Sequence, residues 1–165
     1  MAIETRAMTA QDWASVREIY RTGIDTGQAT FETEPPDWAY WHKSHLPAPR
    51  LVAISQYLIV GWAALSPVSS RAVYAGVAEV SVYVDDQFRG QGIGRLLLDT
   101  LVKEAELNGI WTLQASIFPE NTASISLHSS CGFRLVGRRE RIAKMKGVWR
   151  DTILLERRSK VAGIA

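Results

Sequence analysis

Two apolar periodicities alternate along the chain, one of period two and one of three to four. "IETRAM" has the first and predicts a strand. Behind it, Thr9 and Asp12 have the spacing of a helix cap, and Trp13, Val16, Ile19 and Tyr20 fall on one helical face, with Gly23 reading as the stop. "TGQATFETEPPDW" is loop-like, and Pro35 and Pro36 would open a short helix through "DWAYWHKSH". "LVAIS" and "LIVGWAALSPV" read as a hairpin of two buried strands, and the β-branched "AEVSVYVDD" as a central strand. A helix is expected from about Gly92 to Leu107, stopped by Asn108 and Gly109. "IWTLQASIF" reads as a strand, "NTASISLHSSCG" as a short helix, and "FRLVGRRERI" with "WRDTILLERR" as a final antiparallel pair. The order β-α-α-β-β-β-α-β-α-β-β combines hairpins with strand–helix crossovers, which is the pattern of an α/β sandwich with a mixed sheet.

Composition narrows this picture only slightly. The 165 residues are enough for one domain with a real core, spanning 1–165. A net charge of +2 gives no reason to expect nucleic acid as a partner, and the basic "ERRSK" near the end reads as a solvated tail. The single cysteine, Cys131, excludes an internal disulfide and suits a reducing compartment. "MAIETRAMTAQDW" lacks the apolar core of an export signal, and the run "LIVGWAAL" is too short to span a bilayer. A soluble, cytoplasmic protein without a membrane partner is the expectation.

The candidate chemistry starts at "FRGQGIG", three glycines at alternate positions between a strand and a helix. The first amides of a helix lack intrahelical partners and carry a partial positive charge. Glycines let an anion approach those amides without interference from Cβ, and Arg89 and Arg95 would add charge-assisted donors. Two linked phosphates suit such a cradle. The phosphate loop G-x-x-x-x-G-K-S/T does not occur, and the dinucleotide pattern G-x-G-x-x-G fails at its third position, which is Arg95.

The segment Arg89-Gly90-Gln91-Gly92-Ile93-Gly94 has the form R/Q-x-x-G-x-G/A, and "NTASISLHSSCGF" downstream has the form N-x-x-A/S-x-x-L-Y/H-x-x-x-G-F. In this order, separated by a helix and a strand, they resemble the acyl-CoA-dependent N-acetyltransferases of the GNAT superfamily. "ATFETEPP", "AEVSVYV" and "KMKGVWRDT" resemble its phosphinothricin and methionine sulfone/sulfoximine N-acetyltransferase group. The resemblance implies a mixed, mostly antiparallel sheet flanked by helices, with a splayed parallel strand pair in the middle. It implies acetyl-CoA as co-substrate, its pyrophosphate on Arg89, Gly90, Gln91, Gly92, Ile93, Gly94 and Arg95. Its pantetheine arm would pair with the backbone of Val82, Tyr83 and Val84, the Val82 N–H polarising the thioester. Asn121 and Ser124 match positions of polar coenzyme contacts, although Asn121 also reads as a helix cap.

Glu79, a carboxylate in an otherwise apolar strand, matches an active-site glutamate acting as base through water; a place at the solvent end of the strand is the other reading. His128 stands where many relatives carry the tyrosine that protonates the departing thiolate, and would either do so or simply pack on the short helix. Phe31, Glu32, Arg71 and Tyr74 match positions around the acceptor, with Arg71 suited to a substrate carboxylate. The resemblance further implies a homodimer, with Lys146 and Trp149 reaching towards the partner's site. His42 and His45 lack a third ligand at metal spacing and read as a solvated helix face, so no metal is expected. Cys131 reads as a packing residue, which predicts direct transfer without an acetyl-enzyme. The implied function is acetyl-CoA-dependent N-acetylation of a small amino acid or analogue, with detoxification as its effect. Acetylation of another amine, such as a polyamine or a protein N-terminus, and a non-catalytic acetyl-CoA-binding module are the alternatives.

Overall fold

The computed structural model describes residues 2–165. Its elements are β1 (Ile3–Ala7), α1 (Trp13–Asp25), α2 (Trp38–Ser44), β2 (Arg50–Ser55), β3 (Leu58–Pro67), β4 (Val77–Val84), α3 (Ile93–Leu107), β5 (Thr112–Ile117), α4 (Thr122–Ser130), β6 (Arg134–Met145) and β7 (Val148–Arg158). The seven strands form one sheet in the order β1-β2-β3-β4-β5-β7-β6. The only parallel pair among the described residues is β4 with β5, and its register runs Val77 to Thr112, Ala78 to Leu113 and Glu79 to Gln114. Past Glu79 the two strands part, whereas β4 stays paired with β3 up to Val84. A wedge therefore opens in the middle of the sheet, between strands that remain anchored on their outer sides.

Strand periodicity divides the interior into two layers. Leu51, Ala53, Ala63 and Leu65 face α3, whose Leu97, Leu98 and Leu101 are fully buried. Val52, Trp62 and Ala64, one residue out of phase, face Val16, Ile19 and Trp41 on α1 and α2. Buried on both sides, β3 needs apolar residues at consecutive positions, hence the unbroken run "GWAAL". Each fully buried Leu contributes about 1.5–3 kcal/mol relative to exposure.

Three local expectations are corrected. Gly23 does not end α1, which continues to Asp25; a Cβ there would lie 2.6 Å from the Tyr83 ring, so the glycine provides room for that ring. Thr9 caps a short 3-10 turn ahead of α1, where its N–H donates to Asp12 Oδ2 at 2.8 Å. His45 departs from the expected solvated face, whereas His42 remains exposed. Arg50 Nη1 lies 2.7 Å from His42 Nδ1, and the His45 ring stacks on Trp41 at 4.0 Å, where burial holds its pKa below the usual histidine value.

The "ERRSK" segment is not a free tail either. β7 runs through Arg158, Ser159 is buried with its hydroxyl donating to Glu106, and Arg158 ties down the carbonyls of Ala162 and Gly163 at 3.0 and 2.7 Å. Among the described residues no helix is long and apolar enough to cross a membrane.

Candidate active site

The wedge between β4 and β5 holds a cleft of about 740 Å3. Its walls are β4 from Glu79 to Val84, the turn before α3, the end of β5 with Phe118, the start of α4, and residues 28–31 of the α1–α2 loop. The free edge of β4 follows from strand alternation. The Asp85 N–H donates to the Val60 carbonyl at 2.8 Å, and the β3–β4 register is unbroken, so Tyr83 and Ser81 also turn their backbone groups to β3. Val82 and Val84, out of phase with them, turn theirs into the wedge, where β5 has left. Val82 and Val84 thus fit an extended amide-rich ligand. The expected backbone contact from Tyr83 is corrected, because those groups serve the β3 ladder. Its ring crosses to the other layer, stacked on Trp62 at 4.9 Å, and burial pushes its phenol far above the usual tyrosine value.

At the mouth of α3 the glycines have separable tasks. Gly90 and Gly92 lie at φ +76° and +79°, a left-handed conformation that L side chains rarely adopt, and a Cβ on either would meet nothing within 4 Å. Gly94 packs instead, since its Cβ would lie 3.2 Å from Leu127. The first α3 bond runs from the Leu96 N–H to the Gly92 carbonyl at 3.0 Å, and no side chain caps the turn. The amides of Ile93, Gly94 and Arg95 precede that bond. By contrast, α2 and α4 are capped by Asp37 and Asn121. An open, uncapped helix mouth beside two left-handed glycines fits a pyrophosphate. Arg89 lies on the wall and pairs with Asp86 at 2.8 Å. Arg95 pairs with Asp99 at 3.5 Å, and neither it nor Gln91 lines the cleft. Exposed pairs of this kind are weak enough to exchange for phosphate.

Glu79 sits where the strands fork, not at a solvent end. Its Oε1 accepts from Gln114 Nε2 at 3.0 Å, with Ser116 Oγ at 3.4 Å, two β5 residues on one face of that strand. His128 is buried in the α4 wall, edge-on to Phe133. Its Nδ1 lies 2.7 Å from the Ser124 carbonyl, which assigns the proton to Nδ1, and burial lowers its pKa. Nε2 is then an acceptor, and donation to a thiolate would require a second proton that burial opposes. Asn121 caps α4 through the Ser124 N–H at 3.2 Å while its amide donates to the Gln28 carbonyl at 3.1 Å.

Of the acceptor positions, Phe31 reaches the wall, edge-on to Phe118 at 4.9 Å. Glu32, Arg71 and Tyr74 are exposed and off it, the Arg71 guanidinium resting 5.8 Å from the Tyr74 ring. Lys146 lies in the β6–β7 turn and Trp149 at the start of β7, and neither lines the cleft of its own chain. Burial and Asp99 raise the Cys131 thiol above its usual value, the reverse of what a nucleophile requires. Among the described residues no group of three or more His, Cys, Asp or Glu is arranged to hold a metal ion. Thr152 also lines the cleft, with Arg150 two residues before it on β7, and their one signal in the sequence is a charged residue at an inward position of a strand.

A mixed sheet with a central wedge, an uncapped glycine-rich helix mouth at one end and a carboxylate at the fork define an acyl-coenzyme-dependent transferase. Residues 13–133 match the model of the acetyltransferase (GNAT) family, and the chain belongs to that family. It is 34% identical over 163 residues to a phosphinothricin N-acetyltransferase of Alcaligenes faecalis, covering 94% of this chain and 82% of that one. It is 28% identical to the L-methionine sulfoximine/L-methionine sulfone acetyltransferase of Pseudomonas aeruginosa, covering 94% of each. A crystal structure of a GNAT superfamily phosphinothricin acetyltransferase from Sinorhizobium meliloti in complex with AcCoA superposes with a TM-score of 0.89 at 30% identity, covering 100% of this chain and 92% of that one.

Proposed function

We propose that this chain is a single-domain enzyme that transfers an acetyl group from acetyl-CoA directly to the amino group of a small amino acid or analogue, of the phosphinothricin, methionine sulfoximine and methionine sulfone type. The observation that carries this reading is the wedge, with an uncapped, glycine-lined helix mouth at one end and Glu79 at its fork. The named relatives support the substrate class. Detoxification in a reducing cytoplasm fits that substrate class and the lone buried thiol. A homodimer, with Lys146 and Trp149 of one copy near the site of the other, is supported by the exposed Trp149 and Val148 at the start of β7. Sedimentation as a monomer at assay concentration would refute that arrangement.

Acetyl-CoA, when bound, supplies the activated thioester. The amides of Ile93, Gly94 and Arg95, with Arg89, neutralise its pyrophosphate, and the Val82 N–H polarises its carbonyl. Glu79 takes a proton from the incoming ammonium through a water in the open cleft, and Gln114 and Ser116 keep its carboxylate aimed at the fork. As the C–N bond forms and the C–S bond breaks, the second amine proton passes through water to the departing thiolate, which leaves as free thiol. His128 offers Nε2 as an acceptor, its ring fixed by the bond from Nδ1 to the Ser124 carbonyl one turn earlier on α4. Phe31 and Phe118 give the acceptor an apolar wall.

Release of free thiol is the assay, run over phosphinothricin, methionine sulfoximine, methionine sulfone, the amino acids, a polyamine and a peptide N-terminus. Turnover with the first three supports the reading. Turnover confined to the last two selects another amine. Coenzyme binding without thiol release from any amine would make the chain a binding module. Glu79→Gln should lower kcat by about 10² to 10³ near neutral pH while leaving coenzyme affinity intact. An unchanged rate across pH would refute Glu79 as the base.

A further inference from the structure

We propose that Arg150 is a positioning residue for the acceptor, holding the α1–α2 loop as a wall of the cleft; this deepens the acetyl-transfer reading and rests on it. The loop, residues 26–37, contains no helix or strand. Fixing each such residue costs about 1–2 kcal/mol of backbone entropy, so the loop needs anchors to present Phe31 in one place.

Arg150 lies on β7 with its side chain only 13% exposed. Its Nη1 donates to the Gly27 carbonyl at 2.8 Å and its Nη2 to Gln28 Oε1 at 2.9 Å. The guanidinium lies 3.9 Å over the ring of Phe118, which in turn meets Phe31 edge-on. Glu120 sits 3.6 Å from Nη2 as a counter-charge. Asn121 adds a second tie through the Gln28 carbonyl. One planar cation thus joins three parts of the wall: loop backbone, loop side chain and the aromatic pair. The two donors and the flat face are used together, which lysine cannot reproduce. None of these contacts reaches Gly90 or Gly92, so the latch serves the amine and leaves the coenzyme turn untouched.

The test compares Arg150→Met, Arg150→Lys and Gln28→Met with the parent enzyme, by steady-state kinetics and by hydrogen exchange of amides 27–31 without amine. For Arg150→Met, the amine KM should rise about tenfold while acetyl-CoA affinity stays within about twofold. Arg150→Lys should fall between parent and Arg150→Met, and amides 27–31 should exchange faster in the order parent, lysine, methionine. Parallel loss of amine and coenzyme affinity, or parent-like exchange in 27–31, would overturn the proposal. Gln28 is exposed, so Gln28→Met cuts one strand of the latch at little risk to folding. If Arg150→Met does not fold, faster exchange in Gln28→Met supports the latch and unchanged exchange refutes it. If the parent acetylates no amine, the functional reading fails while the exchange measurement still decides the latch.

Discussion

Substituting alanine at Gly92 separates what the glycine does for the fold from what it does for the coenzyme. Gly92 is left-handed, at φ +79° and ψ 11°, which costs an L residue about 1–2 kcal/mol. Alanine also restricts the unfolded chain, which returns about 0.4–1 kcal/mol. No atom lies within 4 Å of the new Cβ, so no clash adds to the balance. The net loss of stability is then about 1 kcal/mol, or about 2–4 °C in Tm for a chain of this size. Binding should suffer more on the proposed reading, in which pyrophosphate oxygens approach the amides of residues 93–95 past the open side of Gly92. A lost hydrogen bond to a charged group is worth about 1.5–3 kcal/mol, a tenfold to hundredfold drop in affinity. Calorimetric titration with acetyl-CoA and with acetyl-pantetheine, which lacks the pyrophosphate, isolates the effect. Gly92→Ala should weaken the first and spare the second. Equal losses for both, or undiminished acetyl-CoA affinity, would refute the assignment of this turn to the pyrophosphate.

Three further outcomes follow from packing and charge. Gly23→Ala should destabilise the protein by about 1–3 kcal/mol, although alanine is the better helix former, because Tyr83 is held between Trp62 and Tyr20 and cannot yield; a stabilised variant in urea titration would contradict this. Cys131→Ala should keep full kcat, and acetyl trapped on Cys131 in mass spectra of the parent would refute direct transfer. Below about pH 6.5, unfolded imidazoles take up protons that buried His45 and His128 resist, so the unfolded state binds more protons and stability declines as the pH is lowered. The slope should reach about 1.4 kcal/mol per unit for each histidine until its folded pKa is passed, and His45→Phe should flatten it; a flat urea midpoint between pH 7.5 and 5.5 would refute the burial argument.

Much of the fold was legible because it is local. Alternation in "IETRAM" and "VSVYV", the doubly buried run of β3 and the three-to-four spacing of α1 and α3 each reflect which side of an element meets the core. The turn before α3 was legible too, since the left-handed backbone at positions 90 and 92 favours glycine. Misreadings arose where the deciding partner is distant in sequence. Gly23 resembles a helix stop until the ring of Tyr83 is laid across it. His45 looks solvated until the ring of Trp41 is stacked on it.

The residue pattern by itself determined the elements, the glycine cradle and the identity of a carboxylate on the central strand, all properties carried by a few neighbouring positions. Tertiary structure alone decided that pairing of β4 with β5 stops at Glu79, that the backbone amide of Val82 and not that of Tyr83 faces the wedge, and that Arg150 meets Gly27 and Gln28 from 122 or more residues away. Strand register and the direction of a backbone amide depend on which strand lies alongside, and that choice is made by the packing of the whole sheet.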